Sequence, residues 1–184
     1  MNLKRLLEKG YLPKELPPPF SSKLFAEKHR FIKSKWDKKI NTEKSTVNWL
    51  GKKVTGEHSG TVNLKEGNLI FKDGKVAGGN FTVDMTTIST TDLSGDWKTK
   101  LDGHLKADDF FGTEKFPTST LVFKKVVAKS ANLYTVTGDL TIKGQTNPIT
   151  FDLATTANSA TTKFNVNRTK YDIKYGSGSF FDNL

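Results

Sequence analysis

The sequence predicts a mainly β fold: an antiparallel barrel or sandwich of some eight short strands, one helical insertion and a helical N-terminal extension. Three observations carry this expectation. After residue 40, apolar residues alternate with Thr, Asn, Asp or Lys over run after run, the period of strands with one buried face. Turn-forming residues fall between those runs. The aromatic set is 13 Phe, 4 Tyr and 3 Trp in a chain only 35% hydrophobic, which suits a thin wall lined with rings better than a helical bundle.

The elements follow in order. Residues 1–40 begin with a short helix around Leu3, Leu6 and Leu7, then a stretch stiffened by Pro13 and by Pro17, Pro18 and Pro19 in an extended polyproline form. A second amphipathic helix is expected over Ser22–Lys38, with Leu24, Phe25, Phe31, Ile32 and Trp36 on its face. This segment carries 11 Lys+Arg against 4 Asp+Glu, whereas residues 41–184 carry 18 against 15. The net charge of +10 is therefore not spread over the strand-forming part, and a specific nucleic-acid surface is not expected there. Strands are expected at 47–49, 62–64, 81–85, 121–123, 134–136, 140–142, 149–153 and 164–166. Turns are expected at 72–75, 78–79, 143–146 and 158–159. A helix is expected over Leu93–Lys106, with Trp97, Leu101 and Leu105 at four-residue spacing. Alternation alone leaves barrel and sandwich both open.

Several chemistries are excluded. There is no cysteine, hence no disulfide, thiolate nucleophile or Cys-based zinc site. No apolar run approaches a membrane span. His58 and His104 are the only histidines after residue 40, without a paired-histidine motif, and Asp108-Asp109 lacks the alternating carboxylates of a calcium loop, so no metal site is expected. No nucleophile elbow occurs, and the glycines at 78–79 and 176–178 read as turns, so no enzyme activity is expected. His58 sits in Gly56-Glu-His58-Ser-Gly60, where the glycines permit a bulge and close backbone approach. Arg168 shares by alternation the side of Phe164 and Val166, and an inward charge must be paired or wet. In HLKADDFFGTEKFP (104–117) the acids read as solvated groups at a helix end and Gly112 as a left-handed turn, while Phe110 and Phe111 are placed to plug or gate one end of the fold.

Five ordered blocks then bear on identity: STVNWLGKKVTGEHSGTVNLKEGNL, FTVDMTTISTTDL, LDGHLKADDFFGTEKFPTSTLVF, YTVTGDLTIKGQTNPITFDL and FNVNRTKYDI. Together they resemble the YceI-like family of bacterial lipid-binding proteins, mostly periplasmic or secreted, over residues 41–184. The resemblance implies an up-and-down, lipocalin-like barrel of eight antiparallel strands. Its elongated tunnel would hold a long isoprenoid or fatty amphiphile, with no other cofactor and no catalysis. The lining would comprise Trp49, Phe81, Val83, Met85, Phe123, Tyr134, Val136, Leu140, Ile142, Phe151 and Phe164. Phe110 and Phe111 would stand at one end, with His58 and Arg168 near a lipid head. By the same alternation Val62, Leu64, Leu153 and Val166 also face inward.

Two departures from the family pattern shape further expectations. The matching region follows a charged, proline-interrupted segment with no signal-peptide core, so the chain is expected in the cytoplasm if expressed as given, against a periplasmic or secreted location by resemblance. Against the family pattern a closing strand is expected to be missing after Phe180-Phe181, which would leave closure to a second copy, another chain or the N-terminal segment. The N-terminal LLEKGYLPKELPPPFSSKLFAE resembles the opening of bacterial defence-associated reverse transcriptases without their catalytic carboxylates, and reads as a fusion segment or a native extension. The alternative to lipid carriage is an interaction module whose basic N-terminal segment docks a partner while the barrel serves as scaffold.

Overall fold

The computed structural model describes residues 35–53 and 56–175. Most of the N-terminal expectations, and those for residues 176–184, lie outside the described residues. Among the described residues, eight antiparallel strands form one curled half-barrel with one short α-helix: β1 Lys35–Lys39, β2 Val47–Lys53, β3 Gly56–Lys72, β4 Lys75–Thr90, α1 Gly95–Lys106, β5 Thr118–Ala128, β6 Leu133–Ile142, β7 Gln145–Thr155 and β8 Ala160–Thr162. A 3-10 turn, Arg168–Tyr171, follows.

From β3 onward each strand pairs with the next. β1 and β2 are two halves of one edge: β1 pairs with Asn68–Lys72 at the end of β3, and β2 with Gly56–Val62 at its start. The break between them is a turn in which Asn41 Oδ1 accepts from the Lys44 amide (3.0 Å) and Ser45 Oγ donates to the Asn41 carbonyl (2.7 Å). Across the seam between first and last strands, Lys38 Nζ donates to the Ala157 carbonyl in the β7–β8 turn (3.3 Å), and no ladder joins the two edges among the described residues.

β6 shows why these residues make sheet. Tyr134, Val136, Gly138 and Leu140 point inward and are buried, while Thr135, Thr137, Asp139 and Thr141 face out. On the outer face Thr137 meets Thr150 (3.3 Å), Thr141 meets Thr146 (2.8 Å) and Thr135 donates to Asp152 (3.1 Å), the cross-strand pairs that β-branched polar residues form.

Five local expectations change, the first being that Gly78 and Gly79, expected as a turn, lie within β4 as register partners of Ile70 and Leu69. Residues 35–38, expected at the end of a helix, lie in β1. The helix spacing of Trp36 is overridden by a ladder on the exposed edge of β3 and by a stacked pair of Trp36 with its register partner Phe71 (4.4 Å, 8°). The compact unit therefore begins at Lys35. The runs at 134–136 and 140–142 are one strand, because Gly138 continues the inward face. The 164–166 run is not a strand: β8 ends at Thr162, alternation lapses, and Val166 is 40% exposed although Phe164 packs inward. Trp97 is 72% exposed and not on the buried face of α1, where only Leu105 is fully buried and Leu101 partly so; residues four apart drift about 40° per step around a helix.

Besides the apolar contact of Leu101 and Leu105 with β3 and β4, polar bonds fix α1 to the sheet. Asp102 accepts the Thr90 amide (2.7 Å) and Ser89 Oγ (3.0 Å) and pairs with Lys98 Nζ (2.8 Å), which also donates to the Thr90 carbonyl and to Ser89 Oγ. Burial acts to raise the Asp102 pKa, but these hydrogen bonds outweigh it and hold the group at about 2. A depressed carboxylate contributes stability that is present above its unfolded value of 3.8 and lost as pH falls through its folded value. Asp102→Asn should cost about 2 kcal/mol at neutral pH. It should also flatten the loss of stability between pH 4 and pH 2, as read by denaturant melts at stepped pH.

Candidate functional site

The inward residues gather into three clusters. The first is Leu69, Val76, Tyr134, Val136, Phe151 and Leu153, flanked by half-buried Phe81, Phe123, Ile149 and Phe164 among others. A row of rings crosses this concave face from β4 to the segment after β8: Phe81 to Phe123 at 5.5 Å, Phe123 to Phe151 at 5.7 Å, and Phe151 to Phe164 at 4.9 Å. The second cluster is Val62, Met85, Ile88 and Leu105, with Trp49, Val83, Leu101, Phe110 and Phe111 packed against it. The third is Leu140, Tyr171 and Ile173, again with Phe110 and Phe111, and with Leu121, Ile142, Ile149 and Phe164. Phe110 and Phe111 thus bridge two clusters, their rings edge to face at 5.0 Å.

The segment that delivers them behaves as a helix end. α1 stops at Lys106, and Gly112 takes φ +57°, the left-handed conformation that glycine tolerates best. The backbone amides of Phe110 and Gly112 return to the Ala107 carbonyl (3.0 and 2.9 Å). Asp108 pairs with Lys115 (2.5 Å), and Asp109 lies 4.0 Å from His104 Nδ1.

Thirteen of the fifteen sequence-derived site residues fall in these clusters. The two polar ones do not. His58 Nδ1 lies 2.9 Å from Asp92, whose other oxygen accepts the Ser59 amide (3.0 Å). The hydrogen bond from His58 depresses the Asp92 pKa. Arg168 donates Nη1–H to the Ile173 carbonyl (3.1 Å) and lies over the Phe110 ring at 5.6 Å. Among the described residues no three His, Asp or Glu side chains gather as a metal site.

Sequence reasoning missed Leu69, Phe71, Val76, Ile88, Tyr171 and Ile173. Leu69-Ile-Phe71 is an unbroken apolar run and gives no face. Tyr171 and Ile173 are two apart beyond Arg168, a signal that was there to be read. Where the chain leaves β8, a cavity of about 240 Å³ opens beside β7, lined mainly by Asn147, Ile149, Thr150, Asn165, Asn167 and Tyr171.

Residues 39–183 match the YceI-like domain. The chain belongs to the YceI-like family. Among curated relatives, a UPF0312 protein of Shewanella denitrificans is 34% identical over 91 residues, covering 50% of this chain and 46% of that protein. A UPF0312 protein of Staphylococcus aureus is 50% identical over 52 residues, covering 28% of each. These matches span about half or less of the relatives' length. The crystal structure of Burkholderia cenocepacia BcnA is 22% identical, covers 78% of this chain and 89% of that one, and superposes with a TM-score of 0.60, the same fold. No described helix of this YceI-like chain is long and apolar enough to cross a membrane.

In this YceI-like sheet the glycine at the end of Gly56-Glu-His58-Ser-Gly60 is a packing requirement. Trp49 lies across Gly60 and donates Nε1–H to the Thr61 carbonyl (3.3 Å). A Cβ at Gly60 would stand 2.0 Å from the Ser89 carbonyl oxygen and 2.5 Å from the Trp49 ring. Gly60→Ala should destabilise by about 2–3 kcal/mol. It should also shift Trp fluorescence, both read in one urea melt.

Proposed function

We propose that the concave face binds the apolar tail of a long isoprenoid or similar amphiphile and carries it without chemical change. The observation that carries this reading is the row Phe81, Phe123, Phe151 and Phe164, whose members from β4, β5 and the segment after β8 are only partly buried on the inner side of a curled sheet. Partly exposed rings in a concavity offer contact to an apolar chain that a flat outer face does not. Each methylene moved from water onto such a lining gains about 0.8 kcal/mol, so a tail of a dozen or more carbons binds with few polar contacts. Phe110 and Phe111, set between the second and third clusters, close one end of that concavity.

Organic extraction of the purified full chain, read by mass spectrometry, should recover a long-chain amphiphile. The stripped protein should take up a fluorescent polyene fatty acid. Phe123→Ala should weaken that uptake about tenfold, or 1.4 kcal/mol. Val127→Ala, on the exposed outer face of β5, should leave it unchanged. Empty protein with no uptake, or equal losses in the two variants, would contradict the proposal.

A further inference from the structure

The Phe110–Phe111 end of the interior differs chemically from the rest. Four buried side-chain polar atoms lack a hydrogen-bond partner among the described residues: Thr90 Oγ1, His104 Nε2, Ser119 Oγ and Tyr171 Oη. Two of them, His104 and Tyr171, lie with Phe110 and Phe111, and Ser119 is placed between the same two clusters by its position on β5. Tyr171, only 1% exposed, belongs to the cluster against which both rings pack. Ser119, 6% exposed, is the register partner of Val83, which packs on the second cluster, and lies two residues before Leu121 on the same face of β5, which packs on the third. The residues those two clusters share first are Phe110 and Phe111. His104 meets Phe110 edge-on at 5.4 Å. The Leu69–Val136 cluster has no such atom, since its one hydroxyl, Tyr134 Oη, donates to the Ala131 carbonyl (3.4 Å).

The same end holds a positive charge with no carboxylate partner among the described residues. Arg168 is half-buried, spends one N–H on the Ile173 carbonyl, and appears in none of the ion pairs among the described residues. The acids nearby in sequence have cations of their own: Asp108 has Lys115 (2.5 Å) and Asp172 has Lys174 (2.8 Å). A guanidinium carries five donors in a planar fork suited to carboxylate or phosphate, and unpaired buried hydroxyls are costly.

We infer that the Phe110–Phe111 end seats the headgroup of the bound amphiphile, and that this headgroup is an anionic hydrogen-bond acceptor, a carboxylate or a phosphate, paired with Arg168 and accepting from Ser119 and Tyr171. This rests on the reading that the concave face takes the tail. It adds polarity to that reading, with the head at the third cluster and the tail along the Phe row.

The test is displacement of a neutral fluorescent apolar probe from the full chain by four ligands: palmitate, hexadecanol, geranylgeranyl phosphate and geranylgeraniol. At least one anionic ligand should bind tenfold or more tightly than the alcohol of the same chain, and which one does so separates a fatty acid from a prenyl phosphate. Arg168→Gln should remove that advantage and leave the alcohol's affinity in place, and Arg168→Lys should retain part of it. Tyr171→Phe and Ser119→Ala should each cut anion affinity several-fold without lowering the melting temperature, because neither hydroxyl has a protein partner to lose. Equal binding of anion and alcohol to the wild type would overturn the headgroup inference while leaving the tail reading intact. Equal losses for both ligands in every variant would overturn it as well. If no ligand of the four binds, the tail reading itself falls, and this inference with it.

Discussion

The β3–β4 hairpin carries strands of 17 and 16 residues, and its ladder slips between Thr61 and Asn63, between Leu64 and Glu66, and between Ile70 and Phe71. Each slip adds local bend and twist, and three of them curl a hairpin that would otherwise be a flat ribbon. The largest uses side chains: between Asp84 and Ser89, β4 runs several residues past a shorter stretch of β3. Thr87 Oγ1 takes the Asn63 amide (2.8 Å) and Met85 donates to the Pro117 carbonyl (2.9 Å). That excursion turns both Met85 and Ile88 into the core and brings β4 to the residue that precedes β5. Because β1 and β2 both lean on β3, and β5 on β4, the curvature of this hairpin sets the curvature of the whole sheet. A concave side exists because of it.

The curvature also sorts the chemistry. Non-directional apolar contact lines the middle of the concavity, where the Phe row lies. At the end held by α1 and the Arg168–Tyr171 turn, the packing is still apolar but is interrupted by hydroxyls, an imidazole and a guanidinium. Such groups act by geometry and charge, which on the proposed reading would select the head of an amphiphile while the middle holds its tail. The outer face, with its threonine pairs and its Lys124–Asp139 and Lys129–Asp152 ion pairs, is built for water.

How much of this the sequence discloses varies by element. β6 is legible residue by residue, since its inward and outward positions alternate without a break. The inner positions of β7, and those of β5 up to Phe123, follow the same rule, so Phe123, Phe151 and Leu153 lie inward as alternation predicts. The rule fails where a strand is bulged: no period of two relates Met85 to Ile88. It fails again where a ladder stops, as after Thr162, so Val166 turns outward beside an inward Phe164. Trp36 carries a helical spacing, yet the unsatisfied edge of β3 and the Phe71 ring claim it as a strand residue, a tertiary choice that local spacing does not encode. The polar anchor of α1 was equally hidden: Asp102 and Lys98 are ordinary i,i+4 surface residues in sequence, and only the fold brings Ser89 and Thr90 to them.

The central claim, that an apolar chain lies along the inner side of the curled sheet, is tested most directly by methyl NMR of the protein with a doxyl-labelled stearic acid. The account predicts that the spin label broadens methyl signals of Leu69, Val76, Val136 and Ile149, which face inward, and spares those of Val122 and Val127 on the outer face. Broadening confined to the outer valines, or equal on both faces, would contradict it.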